Sequence, residues 1–325
     1  MMGFAWGAKP PFFIRNNVMR VKFRACRGWA VLIAVVMSLS APIYAISAIA
    51  DLAASSELDR SYRRLLPLEG GSNFRDMGGY LTETGQRVKR GLLFRSGAMV
   101  SLTDADKAYL AQFGFKRVVD LRSLEERELY PNTWVGGDSG VTLIAHDYQM
   151  EDMMGDMSDP NARKLASDMG HFYRRLPESL IPQLKLYFQT LLSGEVPVAV
   201  NCSAGQDRTG FTGALVLRAL GVPRQMVVED YLLSTDFRRP EFERGKVDIK
   251  AAAESGNFFA KMMLAYSGQG TSDRPNPLIT PDGVPLIEIA LDELDAKWGG
   301  PEGYLKLGLG LKDNDIAKLK ADFLE

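Results

Sequence analysis

A cysteine and an arginine, Cys202 and Arg208, bracket the segment CSAGQDR, and the hydrophobic pattern changes period there. Before the cysteine, Val196 to Val200 reads as a short strand. Beyond the arginine, Thr209 to Leu220 reads as a helix closed by Gly221. In a strand-loop-helix unit of this kind successive backbone N–H groups can turn inward and form an anion cradle. The helix N-terminus adds positive potential at the same point. A bound oxyanion would lie against Ser203, Ala204, Gly205, Gln206, Asp207 and Arg208. The field that holds such an anion also favours a thiolate, which makes Cys202 a candidate nucleophile at the floor of the cradle. Arg208 brings a planar fork that can hold two oxygens at once, a geometry lysine lacks. Gly205 supplies backbone freedom where a side chain would clash. Thr209 can donate its hydroxyl to the sulfur, and Asn201 can hydrogen-bond the loop backbone.

Attack at such a centre needs an acid to protonate the leaving oxygen. Two carboxylates are candidates. Asp147 follows the strand that ends at Ala145, and Asp207 lies in the loop itself; Asp147 is favoured for the acid and Asp207 for shaping the loop or assisting. His146 reads as a neighbour and His171 as a helix cap. Asp76, Arg95, Asp120 and Arg122 read as pairs that brace the loop.

The elements that must position these groups alternate between strand and helix. Tyr80 to Lys89 reads as a hairpin around Thr84-Gly85, Leu92 to Phe94 as a short buried strand, and Arg117 to Leu121 as another. Thr103-Asp104-Ala105-Asp106 is an N-cap pattern opening a helix that stops at Gly114, and Ser123-Leu124-Glu125-Glu126 is a capping box. Val141 to Ala145 is expected as a buried strand, and His171 to Leu192 as one long helix with Pro177 and Pro182 near its start. Further helices are expected over Pro223 to Ser234, Glu243 to Tyr266 with a weak point at Gly256, Leu286 to Trp298, and Asp315 to Leu324, with an exposed loop over Ser267 to Pro285. This alternation predicts an α/β fold with a central, mostly parallel sheet flanked by helices on both faces. Five methionines fall between Gln149 and Gly170, a segment that reads either as a lid over the cradle or as a packed surface insert.

The first fifty residues stand apart. They hold six of the 39 lysines and arginines and none of the 40 acids, then the apolar run WAVLIAVVMSLSAPIYA and a small-residue site at Ala48-Ile49-Ala50. This is the pattern of a signal peptide spanning residues 1–50, with cleavage near Ala50; an uncleaved membrane anchor is the alternative. Residues 51–62 read as a tether and residues 63–325 as a single domain. The expected destination is a periplasm or the exterior, with no stable membrane span once the signal is removed. What remains is acidic, so a nucleic-acid partner is not expected. Two cysteines exclude a disulfide scaffold, and two histidines argue against a metal cluster.

The Cys202-x5-Arg208 loop, with NFRDMGGY at 73–80, LFRSG at 93–97, VVDLRS at 118–123, AGQDRTGF at 204–211 and the terminal Gly299-Gly300…Gly303-Tyr304-Leu305, resembles the protein tyrosine phosphatase superfamily. The likeness is to the bacterial and fungal branch that carries an AGKDRTG loop. The resemblance implies the tyrosine-phosphatase fold and hydrolysis of phosphomonoesters through a phosphocysteine, with no cofactor and no metal. The expected substrates are a phosphorylated protein or a small phosphomonoester, chiefly phosphotyrosine, with phosphoserine, phosphothreonine or lipid phosphates also in view. Two positions depart from that branch: Asn201 stands where histidine is usual, and Gln206 where lysine is usual. Each takes a cation from the pocket, which predicts a slower enzyme and weaker binding of highly charged substrates. Two alternatives follow, a feeble phosphate- or phosphopeptide-binding pseudophosphatase and a rhodanese-like thiol transferase. Thr209-Gly210 after Arg208 favours phosphate chemistry over the latter.

Overall fold

The computed structural model describes residues 63–154, 168–267 and 278–325. The expected signal peptide and tether, and the middle of the expected lid, lie outside the described residues.

Strands β1 (Arg75–Asp76) and β2 (Leu93–Ser96) come first, then helix α1 (Asp104–Ala111), β3 (Arg117–Asp120), α2 (Leu124–Leu129) and β4 (Thr142–Ala145). Helices α3 (Met150–Met154), α4 (Met169–Ser179) and α5 (Ile181–Leu192) lead to β5 (Val198–Asn201). The chain continues through α6 (Arg208–Ala219), α7 (Arg224–Leu232), α8 (Ser234–Phe237), α9 (Ile249–Glu254) and α10 (Phe258–Ser267), and then α11 (Leu286–Trp298), α12 (Pro301–Leu307) and α13 (Asp313–Phe323). The sheet order is β1-β2-β5-β3-β4; only β1 runs antiparallel to its neighbour. The fold is therefore α/β with a mostly parallel sheet.

Alternate residues of the inner strands feed two cores, as the two-residue side-chain period requires. Leu93, Val119, Val198 and Val200 enter the larger core, built with α4, α5, α6 and the C-terminal helices. Phe94, Val118 and Ala199 enter a smaller aromatic core under α1, where Phe115 lies 4.7 Å from Phe94 and 5.0 Å from Trp134.

Both capping boxes form: Thr103 with Asp106, and Ser123 with Glu126. Three expectations on elements need correction. The strand Val141 to Ala145 is Thr142–Ala145, and it lies half-exposed because it is the edge of the sheet rather than its interior. The long helix begins at Met169 and breaks at Leu180, because Pro182, in the first turn of α5, has no N–H for the ladder. Residues 243 to 248 are not α-helical, and the rest of that stretch divides into α9 and α10 at Gly256, whose φ of +107° stops a right-handed helix. Helix α12 was unforeseen: Pro301 opens a short helix that buries Tyr304 and Leu305.

β5 is the middle strand, lying between β2 and β3, both of which precede it in the chain. Open α/β sheets bind ligands at the carboxyl ends of strands where the order reverses. Cys202 follows the last residue of β5.

Candidate active site

The loop from Cys202 to Arg208 is shaped from outside, through its carbonyls. The Ser203 carbonyl accepts from the Ala98 amide at 2.9 Å. The Ala204 and Gly205 carbonyls accept from Asn73 Nδ2 at 3.4 and 2.9 Å, and Gly205 also from Arg95 Nη2 at 2.9 Å. In a trans peptide the C=O and the following N–H point opposite ways. Tying these three carbonyls outward therefore turns the amides of Ala204, Gly205 and Gln206 inward, the nest expected for an anion. Gly205 sits at φ +68°, and a Cβ there would lie 2.6 Å from the Gly97 nitrogen, so only glycine fits. Asn73 is itself left-handed at φ 56°, a conformation asparagine tolerates, which aims its amide at the loop.

Behind the loop lies a buried charge cluster. Asp230 of α7 accepts from Arg75 at 3.2 Å and from Arg95 at 2.7 Å. Burial alone would raise the Asp230 carboxyl; the two guanidiniums hold it far below the usual carboxylate range. Asp76 accepts from the amides of Gly78 and Gly91, and Asp120 pairs with Arg122. Of the four bracing residues, Arg95 reaches the loop directly and Asp120 reaches it through Asn201.

Cys202 is a buried, unpaired thiol that opens onto a cavity of about 230 Å³. Ser203, Ala204, Asp207, Arg208 and Glu126 line the same floor, and the walls are Met150, Met153, Met154, Met169, Phe172, Phe259 and Met262. The fork of Arg208 is not open on both prongs: it meets Glu126, with Nη1 2.6 Å from Oε2 and Nη2 2.7 Å from Oε1. Nη1 also donates to the Tyr148 hydroxyl at 2.8 Å. A buried guanidinium without a counter-charge would cost several kcal/mol, and Glu126 supplies one. Burial pushes the Glu126 carboxyl up, but Arg208, then the Ser203 hydroxyl and the Ser123 amide, outweigh it and hold the carboxyl at about 2. Burial likewise opposes the charge on Arg208, and Glu126 more than restores it.

The two acid candidates separate. Asp207 lines the cavity and accepts from the Tyr173 hydroxyl at 2.5 Å, and that hydroxyl bonds Tyr231 at 2.6 Å. Asp147 does not line the cavity; it is exposed and pairs with Arg127 at 2.5 Å. His146 stacks on Tyr148, and the backbone N–H of His171 is capped by Asp168.

Of the remaining predicted groups, Asn201 reaches the loop backbone as expected, whereas Thr209 and Gln206 are placed differently from the sequence expectation. Asn201 donates to Asp120 at 3.2 Å and to the Cys202 carbonyl at 3.4 Å, while its amide oxygen is buried without a partner among the described residues. The Thr209 hydroxyl is buried and has no hydrogen bond to the sulfur. Gln206 accepts from Arg238 Nη1 at 2.5 Å, so a cation that sequence spacing did not reveal stands beside the loop. Sequence reading also missed Glu126, whose visible signal was its capping role, together with Asn73 and Tyr173.

The sequence model of the tyrosine phosphatase family matches residues 66–325. The chain belongs to the tyrosine phosphatase family. As a member it is a protein-tyrosine phosphatase by class. It is 32% identical to the triple specificity protein phosphatase PtpB of Mycobacterium tuberculosis over 269 aligned residues, covering 74% of this chain and 92% of that one. It is 29% identical to a tyrosine-protein phosphatase of Nostoc commune over 237 residues, 70% of this chain and 72% of that one.

Proposed function

We propose that this phosphatase hydrolyses phosphotyrosine through a phosphocysteine on Cys202. The carrying observation is one cavity floor that holds Cys202, Asp207 and Arg208 beneath a loop whose carbonyls are tied outward. The thiolate attacks phosphorus in line as the P–O bond to the leaving group breaks. Inward amides and Arg208 stabilise the equatorial oxygens. Asp207 gives its proton to the leaving oxygen, then takes one from the water that cleaves the phosphocysteine and releases phosphate. Its place in the cavity and its bond from Tyr173 support Asp207 over Asp147 as this acid. Methionine and phenylalanine walls suit an aryl ring above the phosphate. The basic-then-apolar stretch before residue 51 supports export to a periplasm or the exterior.

Turnover of p-nitrophenyl phosphate, abolished by Cys202→Ser and inhibited by vanadate, tests the reaction. Asp207→Asn is expected to slow alkyl phosphates about a hundred-fold or more. If Asp147→Asn does this instead, the acid is Asp147. A second reading, a phosphate binder without turnover, draws on the occupation of both Arg208 prongs by Glu126. Retained phosphate binding with zero turnover would establish it.

A further inference from the structure

The phosphate loop carries the neutral side chain of Gln206 between Gly205 and Asp207. Beside that glutamine the fold brings in Arg238, the residue that follows α8. Arginine is donor-only, so the atom of Gln206 that faces it must be the amide oxygen. That fixes the amide orientation and leaves Gln206 Nε2 buried with no partner among the described residues.

The guanidinium is held in a defined direction. Its Nε and Nη2 edge lies against Glu243, at 2.8 and 3.0 Å for Nε and 2.9 Å for Nη2, while Nη1 faces the loop. Glu243 is fixed by the Ser72 hydroxyl at 2.8 Å, and Ser72 in turn accepts from the Arg239 amide. The Asn73 amide donates to the Phe237 carbonyl at 2.9 Å, which joins the Arg238 segment to the residue that braces the loop carbonyls. The Arg238–Glu243 pair is thus a dipole with its positive end on the loop.

We infer that Arg238 supplies the phosphate loop with a cation from outside it, a positioning residue that acts through Gln206 to orient the loop and lend it positive potential. This rests on the reading of the loop as the phosphate site. Burial disfavours the Arg238 charge, but Glu243, then Asp207 and Cys202, more than compensate, so the guanidinium and the sulfur share one field. The other charged or titratable groups that face this field are Arg208, Glu126 and Tyr148. On this reading the cation that Gln206 takes from the pocket is supplied instead by Arg238.

The test uses two alkylating reagents of similar size, anionic iodoacetate and neutral iodoacetamide, on the thiol of the full chain. A positive field draws in the anion selectively, so the ratio of the two rates reads the field without depending on turnover. Arg238→Gln should lower that ratio about five-fold and weaken inhibition by inorganic phosphate to a similar degree. Arg238→Lys should keep most of the ratio. Adding Gln206→Lys to Arg238→Gln should restore it, because the cation then returns from the loop position itself. An unchanged ratio in Arg238→Gln overturns the inference. So does an equal slowing of both reagents that Gln206→Lys does not repair, which would mark Arg238 as a structural brace. A wild-type protein with a normal ratio but no turnover would instead overturn the phosphatase reading and leave this one standing.

Discussion

Glu126 does three jobs with one carboxylate: it caps α2, receives the Ser203 hydroxyl and clamps Arg208. Its folded-state value of about 2 lies below the ordinary 4.5, so its contribution to stability is full above that ordinary value and fades as pH falls toward 2. Thermal melts of Glu126→Gln should therefore show a shallower loss of stability across this acid window than the parent. At neutral pH the same variant leaves Arg208 buried without its partner and should cost about 3–5 kcal/mol, read from denaturant midpoints. Tyr173 is a second residue-scale handle. Burial, then the neighbouring Asp207 charge, push its phenol well above the ordinary value, so it remains a donor. Tyr173→Phe should lower kcat for p-nitrophenyl phosphate about ten-fold with little change in KM, the size of one hydrogen bond to a charged group. An unchanged kcat would release Tyr173 from any part in orienting Asp207. Much of this site was legible in the chain: Cys202, Asp207 and Arg208 share a cavity because seven consecutive residues encode one loop. Glu126, Asn73, Tyr173 and Arg238 were not legible. Their side chains meet the loop across separations of 32 to 132 residues, and no local spacing records such contacts.

Helix α7 is tied to the sheet by a charge rather than by grease alone. Asp230 receives Arg75 and Arg95 from β1 and β2, and also the Tyr80 hydroxyl at 2.9 Å. Asp230→Ala strands two buried guanidiniums, and a loss of about 3–5 kcal/mol is expected in urea titration. Because Arg95 also holds the Gly205 carbonyl, the same variant should weaken phosphate inhibition; intact inhibition would show that the loop stands without this support. Elements with strong local signals were read correctly, the N-cap at Thr103, the capping box at Ser123 and the helix Leu286–Trp298 among them. The errors fall where tertiary setting decides. β4 is apolar in sequence yet lies at the sheet edge, and residues 171–192 carry one helical period that Pro182 divides.

At the largest scale, residues 323–325 are tied by backbone bonds to residues 87–89. Phe323 is buried in the larger core, the Lys89 amide donates to its carbonyl at 2.8 Å, and Arg87 exchanges backbone bonds with Glu325. Phe323→Ala should cost about 3–5 kcal/mol, as for other buried aromatic truncations. It should also speed amide exchange in residues 80–89; protection that survives there would mean the hairpin is held without the C-terminal helix. The placement of β5 between two older neighbours has a consequence for biogenesis. Until the chain is made past residue 201 the sheet has a missing rib, and until Asp230 arrives Arg95 has no counter-charge. A growing polypeptide therefore carries residue 202 for a time without its braced cradle, because the Arg95 that holds the loop gains its counter-charge only when residue 230 has been made.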